Sequence, residues 1–234
     1  MTTALNQYFT PVWVAELLYE RYFRHLTHDD VAVDPTCGSG NFLLAIPSGP
    51  QAPACYGVEI DPRLADDARR RTGRLVITGD FRTVPLPNTP TALIGNPPFQ
   101  TSLIEQFMTR AAHVLPEGGQ VGFILPAYFV QNSTRTVAYA QRWSMEIVTI
   151  PREIFPRLRY SLIFGRFTKN RHRTMIGLAL FPETAALRQL PSRFTPTVQG
   201  ATTSVWVAVV QQALEELGGA ASLPALYRVI EGRR

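Results

Sequence analysis

Short apolar strands alternate with helical segments along the first half of the chain, and this alternation constrains the fold more than any other feature. Each predicted strand is a run of mostly apolar residues bounded by turn or charged residues. The strands are predicted at 31–33, 56–60, 75–77, 91–94 and 121–125. Helices are predicted at 11–26, 63–71 and 101–115. Strands separated by helices favour a parallel sheet covered on both faces.

The pattern changes after residue 145. Strands are predicted at 145–150 and 175–181, with a candidate third strand at 160–168, and no helical pattern separates them. We therefore expect this end of the sheet to be antiparallel.

The C-terminal part of the chain has a different organisation. A proline-containing linker is predicted at 182–203, followed by two short helices across the Gly218-Gly219 turn. We therefore divide the chain into a catalytic domain (1–181), the linker, and a helix-turn-helix-like segment (204–234). Any pair of antiparallel helices would give the same pattern. The chain stops at Arg234 without a closing element, which leaves open a truncation there.

Composition excludes several classes of protein. No run approaches the roughly 18 apolar residues that a membrane span needs, and the N-terminus lacks a signal-peptide pattern, so we expect a cytoplasmic protein without a membrane partner. The two cysteines, Cys37 and Cys55, are interpreted as reduced thiols. No Cys/His cluster has zinc-ligand spacing, and no metal site is predicted.

Positive charge is concentrated in one segment. Residues 152–173 carry seven cations against one anion, whereas the rest of the chain is close to neutral in a protein of net charge +5. Such a focused patch is typical of a surface that binds a polyanion. The candidate nucleic-acid-binding residues are Arg157, Arg159, Arg166, Lys169, Arg171 and Arg173. The alternative interpretation is a solvated hairpin whose charge only keeps it soluble.

A glycine-rich turn, Asp-Pro-Thr-Cys-Gly-Ser-Gly at 34–40, follows the first strand, and Glu59 ends the second. This arrangement suits a ligand with a ribose at the carboxyl end of the sheet. Two details argue against NAD: Leu43 stands where the fingerprint has its third glycine, and Asp34 would repel a pyrophosphate. A ligand that carries a sulfonium and an ammonium group, and no phosphate, fits the acidic strand end better.

The sequence Asn-Pro-Pro-Phe at 96–99 directly follows the fourth strand. Here the chain resembles the N6-adenine methyltransferases, particularly those of restriction–modification systems and phages. Five segments match the family's motifs in order over residues 5–130. They are Tyr-Phe-Thr-Pro at 8–11, the turn at 34–40, Glu-Ile-Asp-Pro at 59–62, Gly-Asp-Phe at 79–81, and the tetrapeptide at 96–99.

The resemblance implies a Rossmann-like class I methyltransferase fold: an α/β protein with a mostly parallel seven-stranded sheet, an antiparallel end and a small C-terminal helical appendage. It implies S-adenosylmethionine as cofactor and a flipped adenine of duplex DNA as substrate, with a cognate endonuclease as a candidate partner. The implied cofactor-binding residues are Phe9, Thr10, Asp34, Gly38, Gly40, Glu59, Asp80 and Phe81. The implied catalytic residues are Asn96, Pro97, Pro98 and Phe99.

Three alternatives remain open at this point. RNA N6-adenine methyltransferases and protein-glutamine methyltransferases use the same tetrapeptide, because a side-chain amide presents a similar NH2 group. A catalytically silent nucleic-acid-binding module would be a different class, which the intact tetrapeptide and the full set of cofactor motifs argue against.

Overall fold

The computed structural model describes residues 9–131, 133–151, 154–155, 158, 161–170, 175–180, 191–194, 196–197 and 205–231. The helices are α1 (Val12–Tyr22), α2 (Asn41–Ala45), α3 (Pro62–Thr72), α4 (Thr101–Val114), α5 (Tyr128–Gln131), α6 (Ser133–Ala140), α7 (Val205–Glu216) and α8 (Leu223–Glu231). The strands are β1 (Val31–Asp34), β2 (Ala54–Glu59), β3 (Leu75–Thr78), β4 (Ala92–Gly95), β5 (Gln120–Pro126), β6 (Trp143–Ile150), β7 (Leu162–Lys169) and β8 (Met175–Leu180).

The described strands form one sheet in the order β3-β2-β1-β4-β5-β7-β6-β8. Strands β1 to β5 pair in parallel, as the alternation of strands and helices predicts. The chain starts at β1, moves outward to β3, and then crosses back to β4 on the other side of β1. This reversal places a crevice at the carboxyl ends of β1 and β4, where open α/β sheets bind ligands.

The far end of the sheet differs in detail from the expectation. Strand β7 is antiparallel to both β5 and β6, but β8 pairs with β6 in parallel. The sheet therefore has eight described strands rather than seven, because the candidate strand at 160–168 exists as β7. Strand β7 comes between β6 and β8 in the sequence and runs opposite to β6, so β6 and β8 run in the same direction.

Two helices of the structure were not predicted from the sequence. Helices α5 and α6 lie between β5 and β6, where no helix was predicted. Helix α2, in contrast, has only five residues and ends before Pro47, so the first crossover is short.

The side chains of the central strands alternate between the two faces of the sheet. On β4, Ala92 and Ile94 enter a core with α1, whereas Leu93 enters a second core with α4. Full burial of a leucine or isoleucine side chain such as Leu93 or Ile94 contributes about 1.5–3 kcal/mol through loss of water contact. Strand β4 is apolar at consecutive positions because the sheet is covered on both faces.

The C-terminal helices pack against the core that contains α1. Val209 and Ala213 of α7 are fully buried in it, and Leu226 of α8 is partly buried against it. Phe194, in the segment predicted as a linker, is also fully buried there. Arg193 forms an ion pair with Glu216 at 3.3 Å. The described part of this helical pair therefore shares the core of the sheet.

Candidate active site

The carboxyl ends of the parallel strands bring most of the predicted site residues to one edge of the sheet. Asp34 ends β1, Glu59 ends β2, and Asn96 directly follows β4. The loops that leave these strands connect to α2, α3 and α4. Residues separated by up to 60 positions in sequence are therefore neighbours.

Glu59 holds the glycine-rich turn. Its Oε2 accepts a hydrogen bond from the backbone N–H of Gly38 at 2.8 Å, and its Oε1 accepts one from the N–H of Asp61 at 2.9 Å. Glu59 is buried, and Gly38 has a φ of +53°. The two bonds fix the plane of the carboxylate, whose other lone pairs are suited to accept from ribose hydroxyls.

Asp34 is a buried carboxyl group at the end of β1. Its exposed fraction is 1%, and its Oδ1 accepts a hydrogen bond from the N–H of Thr36 at 3.0 Å. Burial, with a smaller contribution from the charge of Glu59, raises the pKa of Asp34 to about 8. A Cβ atom on Gly95 would lie 2.5 Å from Asp34 Oδ1, so β4 needs glycine here. A cationic ligand beside it would favour the ionised form of this carboxyl group.

The segment before α1 lies against the same turn. The Asn41 side-chain amide donates to the Thr10 carbonyl at 2.7 Å, and Arg71 of α3 donates to Asn41 Oδ1 at 3.2 Å. The Thr10 hydroxyl is buried and has no hydrogen-bond partner among the described residues. A buried hydroxyl without a partner is costly, which is consistent with a ligand group completing its bonding.

Phe9 and Gly40 have contrasting surroundings. Phe9 is 51% exposed, and its ring lies so close to Gly38 that a Cβ there would be 3.0 Å from a ring carbon. Gly40 has a φ of +92°, and a Cβ there would lie 2.6 Å from the Thr72 side chain. Gly40 therefore allows the close packing of the turn on α3, while Phe9 offers an open aromatic surface.

Two of the predicted cofactor-binding residues, Asp80 and Phe81, make contacts within the protein. Both Asp80 oxygens accept hydrogen bonds from Arg82, which lowers the pKa of Asp80. Phe81 is only 1% exposed, and its ring packs on Phe107 with centroids 5.4 Å apart. The Phe81 ring is thus part of the core, and its contact with a cofactor adenine stays a prediction.

The tetrapeptide loop joins β4 to α4. The Thr36 hydroxyl donates to the Asn96 carbonyl at 3.3 Å, which connects the loop to the glycine-rich turn. Pro97 is buried, and Phe99 packs partly buried against the core that contains α1. At the end of the loop, the Tyr128 hydroxyl donates to the Phe99 carbonyl at 2.7 Å.

Two residues of the predicted basic patch are described, and both make internal contacts. Lys169 Nζ donates at 2.7 Å to the carbonyls of Ala112 and Leu115, near the amino end of β5 and thus at the opposite edge of the sheet. Arg166 forms an ion pair with Glu146 at 2.9 Å. The remaining candidates lie outside the described residues and are Arg157, Arg159, Arg171 and Arg173.

Sequence reasoning missed several residues at this edge. Ile60 is 55% exposed directly after Glu59 and gives an apolar surface beside the Glu59 carboxylate. Asn41, Thr36 and Tyr128 make the hydrogen bonds described above. Their position just after a strand or at the start of a helix is the signal that could have identified them.

The described residues hold no group of three His, Cys, Asp or Glu side chains that could bind a metal ion. Of the helices that the structure describes, none is long and apolar enough to cross a membrane.

Comparison with known proteins gives a partial match in sequence. No family model matches the chain. It is 32% identical over 94 residues to the type II methyltransferase M.CvrRI of Paramecium bursaria Chlorella virus XZ-6E, a match that covers 40% of this chain. The chain spans only 24% of the length of that relative.

Comparison of structures gives matches over most of the chain. A Listeria monocytogenes protein described as a class I S-adenosylmethionine-dependent methyltransferase superposes with a TM-score of 0.64 and 15% identity, covering 87% of this chain and 74% of that one. The M protein of the type I restriction enzyme EcoKI superposes with a TM-score of 0.57 and 17% identity, covering 74% of this chain and 47% of that one. The 23S rRNA methyltransferase ErmE superposes with a TM-score of 0.53 and 17% identity, covering 92% of this chain and 95% of that one. These similarities confirm the expected α/β, Rossmann-like fold of class I methyltransferases.

Proposed function

We propose that this chain transfers the methyl group of S-adenosylmethionine to the N6 amine of adenine in DNA. The observation that carries the proposal is the hydrogen bond from Thr36 to Asn96, which holds the tetrapeptide loop against the acidic, glycine-rich turn. A site for a cationic ligand and a group suited to bind an amine are thereby adjacent at the open edge of the sheet.

The residues present fit the proposed cofactor. The buried Asp34 carboxyl favours a cationic ligand, and the Thr10 hydroxyl is a buried polar group that lacks a hydrogen-bond partner among the described residues. Glu59 is fixed with lone pairs suited to ribose hydroxyls, and the exposed side chain of Ile60 can cover an adenine face. When bound, the sulfonium supplies a methyl group attached to a neutral leaving group.

The role of the tetrapeptide follows from the electronic structure of the amine. The lone pair of an exocyclic amine is delocalised into the purine ring, so the amine is a poor nucleophile. The side-chain oxygen of Asn96 and the carbonyl of Pro97 are the acceptors that would bind its two hydrogens and favour tetrahedral nitrogen. Pro97 and Pro98 restrict the backbone of the loop, and Phe99 offers a ring for stacking. Positioning then supplies most of the acceleration, and no strong general base is required.

DNA is the proposed substrate because two proteins similar to this chain belong by name to restriction–modification systems: a type II methyltransferase and the M protein of a type I restriction enzyme. In duplex DNA the adenine has to leave the stack, at a cost of a few kcal/mol. A cognate endonuclease is the corresponding proposed partner. The similarity in fold to an rRNA methyltransferase supports RNA adenine as the second candidate substrate.

Transfer of a labelled methyl group distinguishes the substrates. The chain is incubated with labelled S-adenosylmethionine and, in parallel, plasmid DNA, structured RNA or a protein mixture. The proposal predicts incorporation into DNA. Incorporation into RNA or protein alone would assign the chain to one of the alternative classes, and no incorporation into any of them would contradict the activity.

A further inference from the structure

The tetrapeptide loop cannot hold its own shape through backbone hydrogen bonds. Pro97 and Pro98 have no N–H groups, so the centre of the loop has carbonyl acceptors and no backbone donors. The loop also lies at the open edge of the sheet, where Pro98 and Phe99 are only partly buried. Its conformation must therefore be fixed by donors from other parts of the chain.

Side-chain hydroxyl groups supply donors at both ends of the loop. Thr36 donates to the carbonyl of Asn96 at 3.3 Å, and Tyr128 donates to the carbonyl of Phe99 at 2.7 Å. The two bonds bracket the proline pair. The bond from Tyr128 is the shorter one and has the distance expected of a well-formed O–H···O bond.

The helix that begins with Tyr128 is attached to the core by the residue that follows it. Tyr128 begins α5, two residues after the end of β5, and the next residue, Phe129, is fully buried. The Phe129 ring packs against that of Tyr139, with centroids 5.5 Å apart, which attaches α5 to the core. Partial burial raises the pKa of Tyr128, so its hydroxyl stays protonated and able to donate near neutral pH.

We propose that Tyr128 is a positioning residue that orients the tetrapeptide loop for the planar base. By fixing the Phe99 carbonyl, its hydroxyl sets the orientation of the peptide between Phe99 and Gln100 and so restrains the backbone that carries the Phe99 ring. This inference rests on the proposed function, but it adds a residue that belongs to none of the motifs. It implies that the Tyr128 hydroxyl affects the methyl-transfer step and leaves cofactor binding unchanged.

The substitution Tyr128→Phe tests this directly, because it removes the hydroxyl and keeps the ring. The matched control is Tyr56→Phe, since the Tyr56 hydroxyl makes a similar bond to the Asn88 carbonyl at 3.1 Å, outside the tetrapeptide loop. We expect kcat to fall about ten-fold in the Tyr128 variant, as the loss of one well-placed hydrogen bond would cause. The cofactor Kd should stay within about two-fold of the wild-type value, and the control should retain kcat.

Amide hydrogen exchange gives a readout that does not depend on activity. Exchange of the Phe99–Thr101 amides, followed by mass spectrometry, should be faster in Tyr128→Phe than in the wild type or in Tyr56→Phe. Unchanged exchange would overturn the proposed anchor, and faster exchange with wild-type kcat would overturn its positioning role. A wild-type chain that transfers no methyl group would contradict the proposed function, while the exchange result would still decide whether Tyr128 anchors the loop.

Discussion

The hydroxyl of Thr36 donates a hydrogen bond to the backbone carbonyl of Asn96 across 3.3 Å. Thr36 belongs to the glycine-rich turn after β1, and Asn96 begins the loop after β4, so the bond joins segments 60 residues apart. These strands are neighbours because the order of the sheet reverses at this point. The relationship connects the proposed cofactor side of the site to its proposed substrate side.

The buried Asp34 carboxyl should make stability depend on pH. Its pKa is about 8 in the folded chain, against an ordinary value near 3.8, so between these values the folded state binds the proton and the unfolded state does not. Stability should therefore fall as the pH rises from about 4 to 8, by at most about 1.4 kcal/mol per pH unit. Denaturant unfolding of the wild type and of Asp34→Asn measures this.

The Asn variant keeps an oxygen for the Thr36 N–H and has no proton to lose. The difference in unfolding free energy between variant and wild type should therefore increase in favour of Asp34→Asn as the pH rises. A difference that is constant between pH 5 and pH 8 would show that Asp34 is already ionised in the folded chain.

Glu59 should control cofactor affinity. S-adenosylmethionine or its demethylated product is expected to raise the Tm of the wild type, whereas NAD should leave it unchanged. Glu59→Ala removes the acceptor for Gly38 N–H and for ribose, so the shift in Tm should become smaller. Glu117→Gln, at an exposed carboxylate, is the control and should keep the full shift. Stabilisation by NAD would mean that the turn binds a different ligand.

Substitutions in the basic segment should weaken DNA binding and leave cofactor binding unchanged. Arg171→Ala with Arg173→Ala is predicted to weaken DNA binding and to reduce the salt slope by up to about two units, with cofactor affinity unchanged. Lys169→Ala should behave differently. Its ammonium group is bonded to two carbonyls, so this variant should lower the Tm and leave the salt slope as it is. An unchanged slope in the double variant would exclude these arginines from the DNA-binding surface.

The alternation of strands and helices was sufficient to predict the parallel half of the sheet. Strands β1, β2, β4 and β5 form near the predicted positions because most of their apolar residues are buried, and buried runs are conspicuous in sequence. The edge strand β3 is less buried, with Leu75 56% exposed. The direction of β8 could not be obtained in this way. The direction of β8 depends on how β7 enters the sheet, which it does between β5 and β6. The residues of a strand do not indicate which strands it will pair with.

The sequence predicted which residues would lie together at the site where those residues stand at the ends of parallel strands. Asp34, Glu59 and Asn96 meet at one edge because each follows a parallel strand. A motif gives no information on packing, and the Phe81 ring lies on Phe107 in the core, a contact that its motif does not indicate. Tyr128 shows the opposite case: its place at the start of a helix after a strand marks it, but no motif indicates its hydrogen-bond partner 29 residues away.

The C-terminal helices show a related limit. Their sequence matches a helix-turn-helix, but Val209 and Ala213 are fully buried in the core beside α1. An amphipathic helix has the same pattern whether its apolar face packs on its partner helix or on the sheet.

Identification of the methylated nucleoside tests the proposed methylation of adenine in DNA. Duplex DNA is incubated with the chain and S-adenosylmethionine, digested to nucleosides, and analysed by mass spectrometry. We expect N6-methyl-2′-deoxyadenosine with the wild type and with the exposed-site control Asn88→Ala, and none with Asn96→Ala, whose cofactor Kd should stay within a few-fold of the wild-type value. Methylated cytosine, or Asn96→Ala activity near that of the wild type, would contradict the proposed activity.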